Sequence, residues 1–511
     1  MTHQDVFHRT KNLLTDLSNL LINTPWANLY CKTLDSIIVE MSNPCRLAIT
    51  GRVKAGKSTL INVLLNGDYA KIGTDETTAT INIFRHGIAP DVTHPIQCEY
   101  VNGKSEWVSK NFVDSLQGYT DEIVSIISSI KSFTFYLADE RLKNTILIDT
   151  PGIDAVVGES GDAHQEQTER FLGLRKQHND DTIQISNNAD AVILLLGEVS
   201  HESDVDFIQT FLRNRGTHSC VNTIALLSQI DLTDERIINR ADNARQRYNS
   251  LSQLVNSVMP ISAGLKRYIP TLKEAEEIKA IVRRVSSKKI LNSLVLRSEK
   301  MYLSPKIPGV DISREERLSI YKKGTVPFRC FAVFAKVLYE NEIAEALKII
   351  NQISGIDALK EILEVQFFGR SLQIKTETAI RQVINIIWSI SNCDLSSSHD
   401  VNKWTETELT NLSKDQIAEK IRHIQKELEL LSQKTRDANT YFQALISLTE
   451  NKQLFSECEF EELKELLSDK ITVFSNERLN FWFREKSNSI SEIRRDIAEK
   501  AYSKYTDIAF N

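Results

Sequence analysis

The stretch Gly51-Arg-Val-Lys-Ala-Gly56-Lys57-Ser58 constrains this chain more than any other part of it. It matches GxxxxGK[ST], follows the apolar run Arg46 to Thr50 and opens the helix-prone stretch Thr59 to Leu65. Strand, loop and helix in that order are the context a phosphate-binding loop requires. Glycines let backbone amides close around phosphate oxygens, and a helix N-terminus adds potential that favours negative charge. Lys57 is expected to reach the β- and γ-phosphates and the Ser58 hydroxyl to ligate Mg2+. Gly51, Lys54, Ala55, Gly56 and Thr59 complete the expected nucleotide-binding loop.

Such a loop predicts strands around it, and the chain supplies them. Short β-prone runs recur from Arg46 to about Ala263: Leu47 to Thr50, Ile81 to Phe84, Ile146 to Ile148, Ala191 to Leu196, Thr223 to Leu227 and Val258 to Ile261. Apolar runs of this length, alternating with longer polar segments, predict a mainly parallel α/β sheet. Upstream, Val6 to Met41 carries apolar residues at helical spacing with a break near Pro25, so two helices precede the sheet. Beyond Ala263 the strand texture ends, and helices separated by joints such as Ser304 to Gly309 and Ser396 to His399 take over.

Ile417, Ile421, Ile424, Leu428 and Leu431 form a seam spaced four, three, four, three. About two heptads fit one helix of an antiparallel bundle better than a dimeric coiled coil. A helix from Trp404 to Leu448 would be about 65 Å long at ~1.5 Å per residue. A partner starting at Phe460, with Leu463, Leu466, Leu467, Ile471, Phe474, Ile490, Ile493 and Ile497, is expected to run back along it. The predicted architecture is an α/β P-loop domain plus an elongated α-helical bundle stalk. Residues 1–43 are read as N-terminal helices packing with the bundle, 44–265 as the nucleotide-binding domain, 266–370 as a helical connection and 371–511 as the stalk.

A length of 511 residues agrees with more than one core. The net charge of −6 offers no basic footprint, which argues against nucleic acid as a partner. Seven scattered cysteines without a CxxC pair read as reduced thiols. The polar start Met1-Thr-His-Gln-Asp5 lacks the features of a secretory signal, so a cytoplasmic location is expected. The most apolar run, Ala191 to Leu196, is far short of the roughly 18 to 20 residues that span a bilayer. Membrane contact, if made, is therefore peripheral.

Four further signals follow the loop. Ile146-Leu-Ile-Asp149-Thr-Pro-Gly152 is a strand ending in DxxG, where Asp149 would hold Mg2+ and the Gly152 amide would sense the γ-phosphate. Gly73-Thr-Asp-Glu-Thr77-Thr78-Ala-Thr80 is the polar loop expected to bring a threonine to Mg2+ and the attacking water; Thr78 is the choice, with Thr77 and Thr80 as alternatives. After Thr223 to Leu227 comes Ser228-Gln229-Ile230-Asp231, in which Asp231 would pair with guanine nitrogens that adenine does not present. Ser228 and Gln229 depart from the usual [NT]KxD, which keeps an ATPase among the readings. Ser262-Ala263 stands where the last base-contacting loop is expected.

The order and spacing of these five elements resemble the dynamin superfamily, particularly its bacterial members, and in the Gly73 to Thr80 region the mitofusins. The stretch Gly51 to Leu65 looks like the bacterial members' loop and helix, and Asp231-Leu-Thr-Asp234 matches an extension in which a second aspartate, here Asp234, also holds the base. Ser354 to Leu363 with Phe367-Phe-Gly-Arg370 is similar to the segment joining head to bundle. The resemblance implies GTP hydrolysis to GDP with Mg2+, and head pairing as a homodimer or with a related chain. It also implies peripheral contact with membrane lipid, coupled to stalk motion in membrane remodelling. Where dynamins carry Gln and Ser after the first loop glycine, this chain has Val53 and Lys54, which implies slow or assisted hydrolysis. Lys54 would replace a monovalent cation or remain solvated. A GTP-dependent switch without membrane activity is the alternative. For lipid contact, Phe328 to Tyr339 is read first as a core helix, and the turn Thr449 to Cys458, with Leu454 and Phe455, is the better-placed candidate.

Overall fold

Uninterrupted burial defines the centre of the sheet. In a computed structural model, β1 (Cys45–Gly51) lies beside β7 (Ala191–Leu196), and all six residues of β7 are buried, as a parallel strand covered on both faces should be. The structure describes residues 3–22, 30–52, 55–70, 80–116, 121–150, 189–196, 208–209, 211–212, 222–228, 255–285, 287–296, 299–305, 307, 310–321, 325–392, 414–468, 470–471 and 473–510. β8 (Thr223–Leu227) and β9 (Ser257–Pro260) continue the parallel array, with Ala48 opposite Val192, Val192 opposite Thr223 and Ile224 opposite Ser257.

The other half of the sheet is mixed. It comprises β2 (Ile81–His86), β3 (Ile96–Tyr100), β4 (Ser105–Val108), β5 (Ile130–Leu137) and β6 (Thr145–Asp149). The described strands take the order β4-β3-β5-β2-β6-β1-β7-β8-β9. β2 runs antiparallel to β6 and parallel to β5, and β3 is antiparallel to both β4 and β5. The β3–β4 hairpin closes through Gly103 at φ +83°, a left-handed conformation glycine adopts without steric cost. β3, β4 and β5 are absent from the runs named in the sequence. Each exposes part of its length, so apolar and polar residues mix and no continuous apolar run marks them.

Contacts divide the chain into two units: Leu47–Ala138 with Leu147–Glu361, and Met1–Arg46 with Asp139–Ile146 and Ile362–Asn511. The first holds most of the sheet with α3 (Lys57–Leu64), α4 (Lys110–Ser115) and α5 (Asp121–Ser129). It also contains α6 (Ala263–Arg267), α7 (Leu272–Val282), α8 (Lys288–Leu296), α9 (Glu299–Tyr302), α10 (Arg314–Ile320), α11 (Phe328–Glu340) and α12 (Ile343–Ile353). α13 (Ile356–Leu363) ends this stretch. Phe331, Phe334 and Leu338 of α11 pack with Ile278, Tyr302 and Ile350 in one apolar core, so Phe328 to Tyr339 is a core helix.

The second unit is helical: α1 (His3–Ile22), α2 (Cys31–Ser42), α14 (Ser371–Asn392), α15 (Lys414–Glu450), α16 (Glu457–Leu467), α17 (Asn476–Asn488) and α18 (Glu492–Phe510). The seam Ile417, Ile421, Ile424, Leu428 and Leu431 is buried against Leu14, Leu17, Leu34, Ile380 and Val383, so it closes a bundle within the chain. Further along α15, Leu445 and Leu448 join Phe460, Leu463, Trp482 and Ile497 in a second core. A buried polar layer separates the two along the helices. Arg370 and Gln373 both donate to Asn439 Oδ1, Gln373 also donates to the Thr435 carbonyl at 3.0 Å, and the Arg370 guanidinium lies 4.8 Å over the Phe442 ring.

The described part of α15 spans 37 residues, about 55 Å at ~1.5 Å per residue, and residues 404–413 of the expected long helix lie outside the described residues. Two expectations change here. The return path is three helices, because Ser456 and Ser475 cap new helix starts by accepting from Glu459 N and Arg478 N. Phe474 and Ile490 sit in the connections and are 41% and 100% exposed. In the turn Thr449 to Cys458, Phe455 is buried beneath the Arg494 guanidinium at 4.9 Å, so it is not an exposed apolar anchor. Among the described residues no helix is long and apolar enough to cross a membrane.

Candidate functional site: a phosphate-binding loop

The carboxyl end of β1 leads into the loop through a residue that must lack a side chain. Gly51 has φ +148°, and a Cβ there would lie 2.5 Å from the Leu195 carbonyl oxygen on β7. Gly56, at φ +90°, is the left-handed residue from which α3 starts, with Lys57 as its first helical residue. Between them the Ala55 amide donates to the Arg52 carbonyl at 3.2 Å. Ser58 and Thr59 stand in the first turn of α3. Backbone N–H groups in a helix's first turn have no intrahelical partner, which suits them to an anion.

Lys57 is buried, at 5% exposure. Its Nζ donates to the Gly51 carbonyl at 3.0 Å and to the Arg52 carbonyl at 2.9 Å. Asp149, at the end of β6, is fully buried. Its Oδ2 accepts from Asn82 Nδ2 at 3.4 Å, whereas its Oδ1 has no hydrogen-bond partner among the described residues. Burial pushes the Asp149 carboxyl above its ordinary range and the Lys57 ammonium below its own, while each charge partly restores the other. The Thr150 amide and hydroxyl both donate to the Ile49 carbonyl, at 3.2 and 3.1 Å, and tie the end of β6 to β1.

This donor set fits Mg2+. A hard cation takes oxygen ligands, keeps several waters and completes its shell with substrate phosphates, so it needs only one or two protein groups. Asp149 Oδ1 is a buried acceptor with no partner among the described residues, and Ser58 supplies a hydroxyl in the first turn of α3.

Of the sequence-predicted residues, the structure brings together Gly51, Ala55, Gly56, Lys57, Ser58, Thr59 and Asp149 at the ends of adjacent strands. Ser228 follows β8, but its amide and hydroxyl both donate to the Leu196 carbonyl, at 2.9 and 3.0 Å. Ser262 follows β9 and is buried. Its hydroxyl caps α6 by accepting from Leu265 N at 3.2 Å, and its amide donates to the Ser354 carbonyl at 2.8 Å. Ala263 is buried beside it. Both serine hydroxyls bond to backbone groups and so shape the loops that follow β8 and β9. Thr80 is half-buried just before β2. Val53, Lys54, Thr77, Thr78, Gly152, Gln229, Asp231 and Asp234 lie outside the described residues.

Asn82 is the site residue that motif reading overlooks. The available signal was a lone amide inside the apolar run Ile81 to Phe84, where a buried polar group needs a partner.

Residues 47–230 match the family model described as the dynamin family. This segment is a dynamin-family domain. Two relatives, both the isoniazid-induced protein IniC of Mycobacterium tuberculosis, from strains CDC 1551 / Oshkosh and H37Rv, are 42% identical over 66 residues. That match covers 13% of this chain and only 13% of the relatives' length. Among solved structures, an oligomerised bacterial dynamin pair aligns over 98% of this chain and 90% of that one, at 12% identity and a TM-score of 0.33. Era of Aquifex aeolicus, bound to GDP.AlF4-, aligns over 48% of this chain and 68% of its own at 16% identity and a TM-score of 0.23. The dynamin-family segment begins in β1, so it includes the whole loop, Lys57 and Asp149.

Proposed function

We propose that this chain is a Mg2+-dependent GTPase that hydrolyses GTP to GDP and phosphate. The observation that supports this best is a buried loop lysine together with, in the same dynamin-family segment, a buried carboxylate one of whose oxygens has no hydrogen-bond partner among the described residues. On binding, the Lys57 ammonium exchanges the Gly51 and Arg52 carbonyls for the β- and γ-phosphates. The amides of Gly56 to Thr59 bind phosphate oxygens and exclude water from that side. Asp149, Ser58 and Thr78 would hold Mg2+, which neutralises charge on the transferred phosphoryl group. Thr78 positions the attacking water, and the Gly152 amide answers to the γ-phosphate. Asp231, helped by Asp234 and the stem of Gln229, selects guanine, while Ser228, Ser262 and Ala263 shape the loops around the base. With Val53 in place of the usual glutamine, turnover is slow unless a second head assists.

The same reading assigns residues 44–265 to the head, 266–370 to the connection and 371–511, with 1–43, to the stalk. Heads pair when triphosphate is bound, as a homodimer or with a related chain, and hydrolysis is coupled to stalk motion in remodelling a cytoplasmic membrane face. A GTP-dependent switch that binds protein and never lipid is the second reading, favoured by the burial of Phe455. Competition of GTP and ATP for the site, with phosphate release measured on each, tests the enzyme: equal binding of ATP removes the guanine assignment. Flotation with anionic liposomes separates the two biological readings, since a protein that stays at the bottom of the gradient with and without GTP is the switch.

A further inference from the structure

We propose that Asn82 is a positioning residue for Asp149, holding one carboxylate oxygen so that the other is presented to Mg2+. This deepens the functional reading above and rests on it.

The pairing is imposed by the sheet. Asn82 and Asp149 are directly opposite in the antiparallel β2–β6 ladder. Residues so placed point to the same face with Cβ atoms roughly 4.5 to 5.5 Å apart, which brings a short amide within reach of a short carboxylate. Both are buried, at 8% and 0% exposure, so water does not compete for either group. An ionised carboxylate accepts only, so it is the Asn82 NH2 that must face it. The amide takes Oδ2 at 3.4 Å and leaves Oδ1 without a partner among the described residues. A carboxylate with one oxygen anchored and one unclaimed is oriented for monodentate ligation. Partners of this outer kind commonly contribute 10- to 100-fold to metal affinity, roughly.

Placement gives the pair a second consequence. β2 starts at Ile81, directly after the sequence stretch that contains Thr78 and Thr80, and Asn82 is its second residue. The link thus ties the strand that follows those threonines to the carboxylate on β6.

The test is a titration of a fluorescent GDP analogue over a series of Mg2+ concentrations and in EDTA, with wild type, Asn82→Leu, Asn82→Ser, Asp149→Ala and Asn82→Leu/Asp149→Ala. Leu keeps the volume and removes the donor. We expect Asn82→Leu to raise the Mg2+ half-saturation roughly 10- to 100-fold and to leave affinity in EDTA within about threefold. Asn82→Ser, with a shorter donor, should shift it in the same direction by less, and it carries the test if the leucine variant does not fold. In the Asp149→Ala background the Asn82→Leu change should alter half-saturation less than about twofold, because the residue acts through Asp149. An unchanged Mg2+ half-saturation in both Asn82 variants overturns the proposal. So does an equal shift with and without Asp149, which would mark general loosening of the strand. If wild-type protein shows no Mg2+-dependent guanine-nucleotide binding at all, the functional reading falls and takes this with it.

Discussion

Replacing Lys57 by Met keeps most of the side-chain volume and deletes the ammonium. A charge-assisted contact to phosphate contributes roughly 1.5 to 3 kcal/mol, which alone would be about 10- to 150-fold in affinity. The structure narrows that range. Nζ donates to the carbonyls of Gly51 and Arg52, at 3.0 and 2.9 Å, and on the proposed function both bonds are exchanged for contacts to phosphate. The net gain is a difference between two bonded states, so the lower half applies, about 10- to 30-fold. Stability of the free protein should respond weakly, because two effects oppose. Met forfeits two hydrogen bonds but also removes a cation whose burial disfavours its charged form. Each remaining kcal/mol would move the thermal midpoint of a domain this size by about 2 to 4 °C. Titration of fluorescent GDP and of a GTP analogue, alongside thermal melts without nucleotide, reads both quantities. Affinity within twofold of wild type, with the melt unchanged, would refute the assignment of this lysine to the phosphates.

Thr78→Ala should leave GDP affinity within about threefold and slow single-turnover hydrolysis at least ~100-fold, a barrier increase of about 2.7 kcal/mol; loss in Thr77→Ala or Thr80→Ala instead moves the role to that neighbour. Leu428 is fully buried and Leu430 is 55% exposed, so Leu428→Ala should weaken hydrogen-exchange protection across α15 by roughly 2 to 5 kcal/mol while Leu430→Ala stays within about 0.5. Similar losses at both positions would contradict the bundle. Burial raises the Glu40 carboxyl, but the hydrogen bonds and charge of Lys375, with Asn43 and Arg46, outweigh it and hold the group below its ordinary value of 4.5. A depressed folded value means the folded state releases this proton first. The contribution is therefore complete above pH 4.5 and is lost as pH falls through the lower folded value. Glu40→Gln should flatten the acid limb of a pH-stability profile and lower the neutral plateau.

Much of the sheet was legible because parallel strands buried on both faces leave apolar runs with sharp ends. Ala191 to Leu196 and Thr223 to Leu227 are strands over the very residues named from sequence. β3 to β5 were not, since a half-exposed strand such as Ser105–Val108 carries three exposed residues and no apolar block. Composition located the helices beyond Ala263 but not their breaks, which depend on single capping serines. At the site, the loop pattern named Lys57 and the DxxG pattern named Asp149, but neither carried information on the partners these groups meet within the protein. That depends on which backbone carbonyls the lysine meets. It also depends on strand register, which pairs Asn82 with Asp149 across 67 positions of sequence.

The polar layer along α14 and α15 sets an axial position. Rows of Ile, Leu and Val tolerate slippage, because one apolar contact replaces another after a shift of one turn, about 5.4 Å. Arg370 does not tolerate it. Moved one turn along α15, its fully buried guanidinium loses the Asn439 acceptor, and leaving a buried polar group unsatisfied costs roughly 1 to 3 kcal/mol, more when it is charged. A single polar layer in an otherwise apolar seam is a known way to fix register. Because α15 is continuous through both cores, one layer acts as the zero mark for each, and any longitudinal displacement at Leu428 must reappear at Leu448.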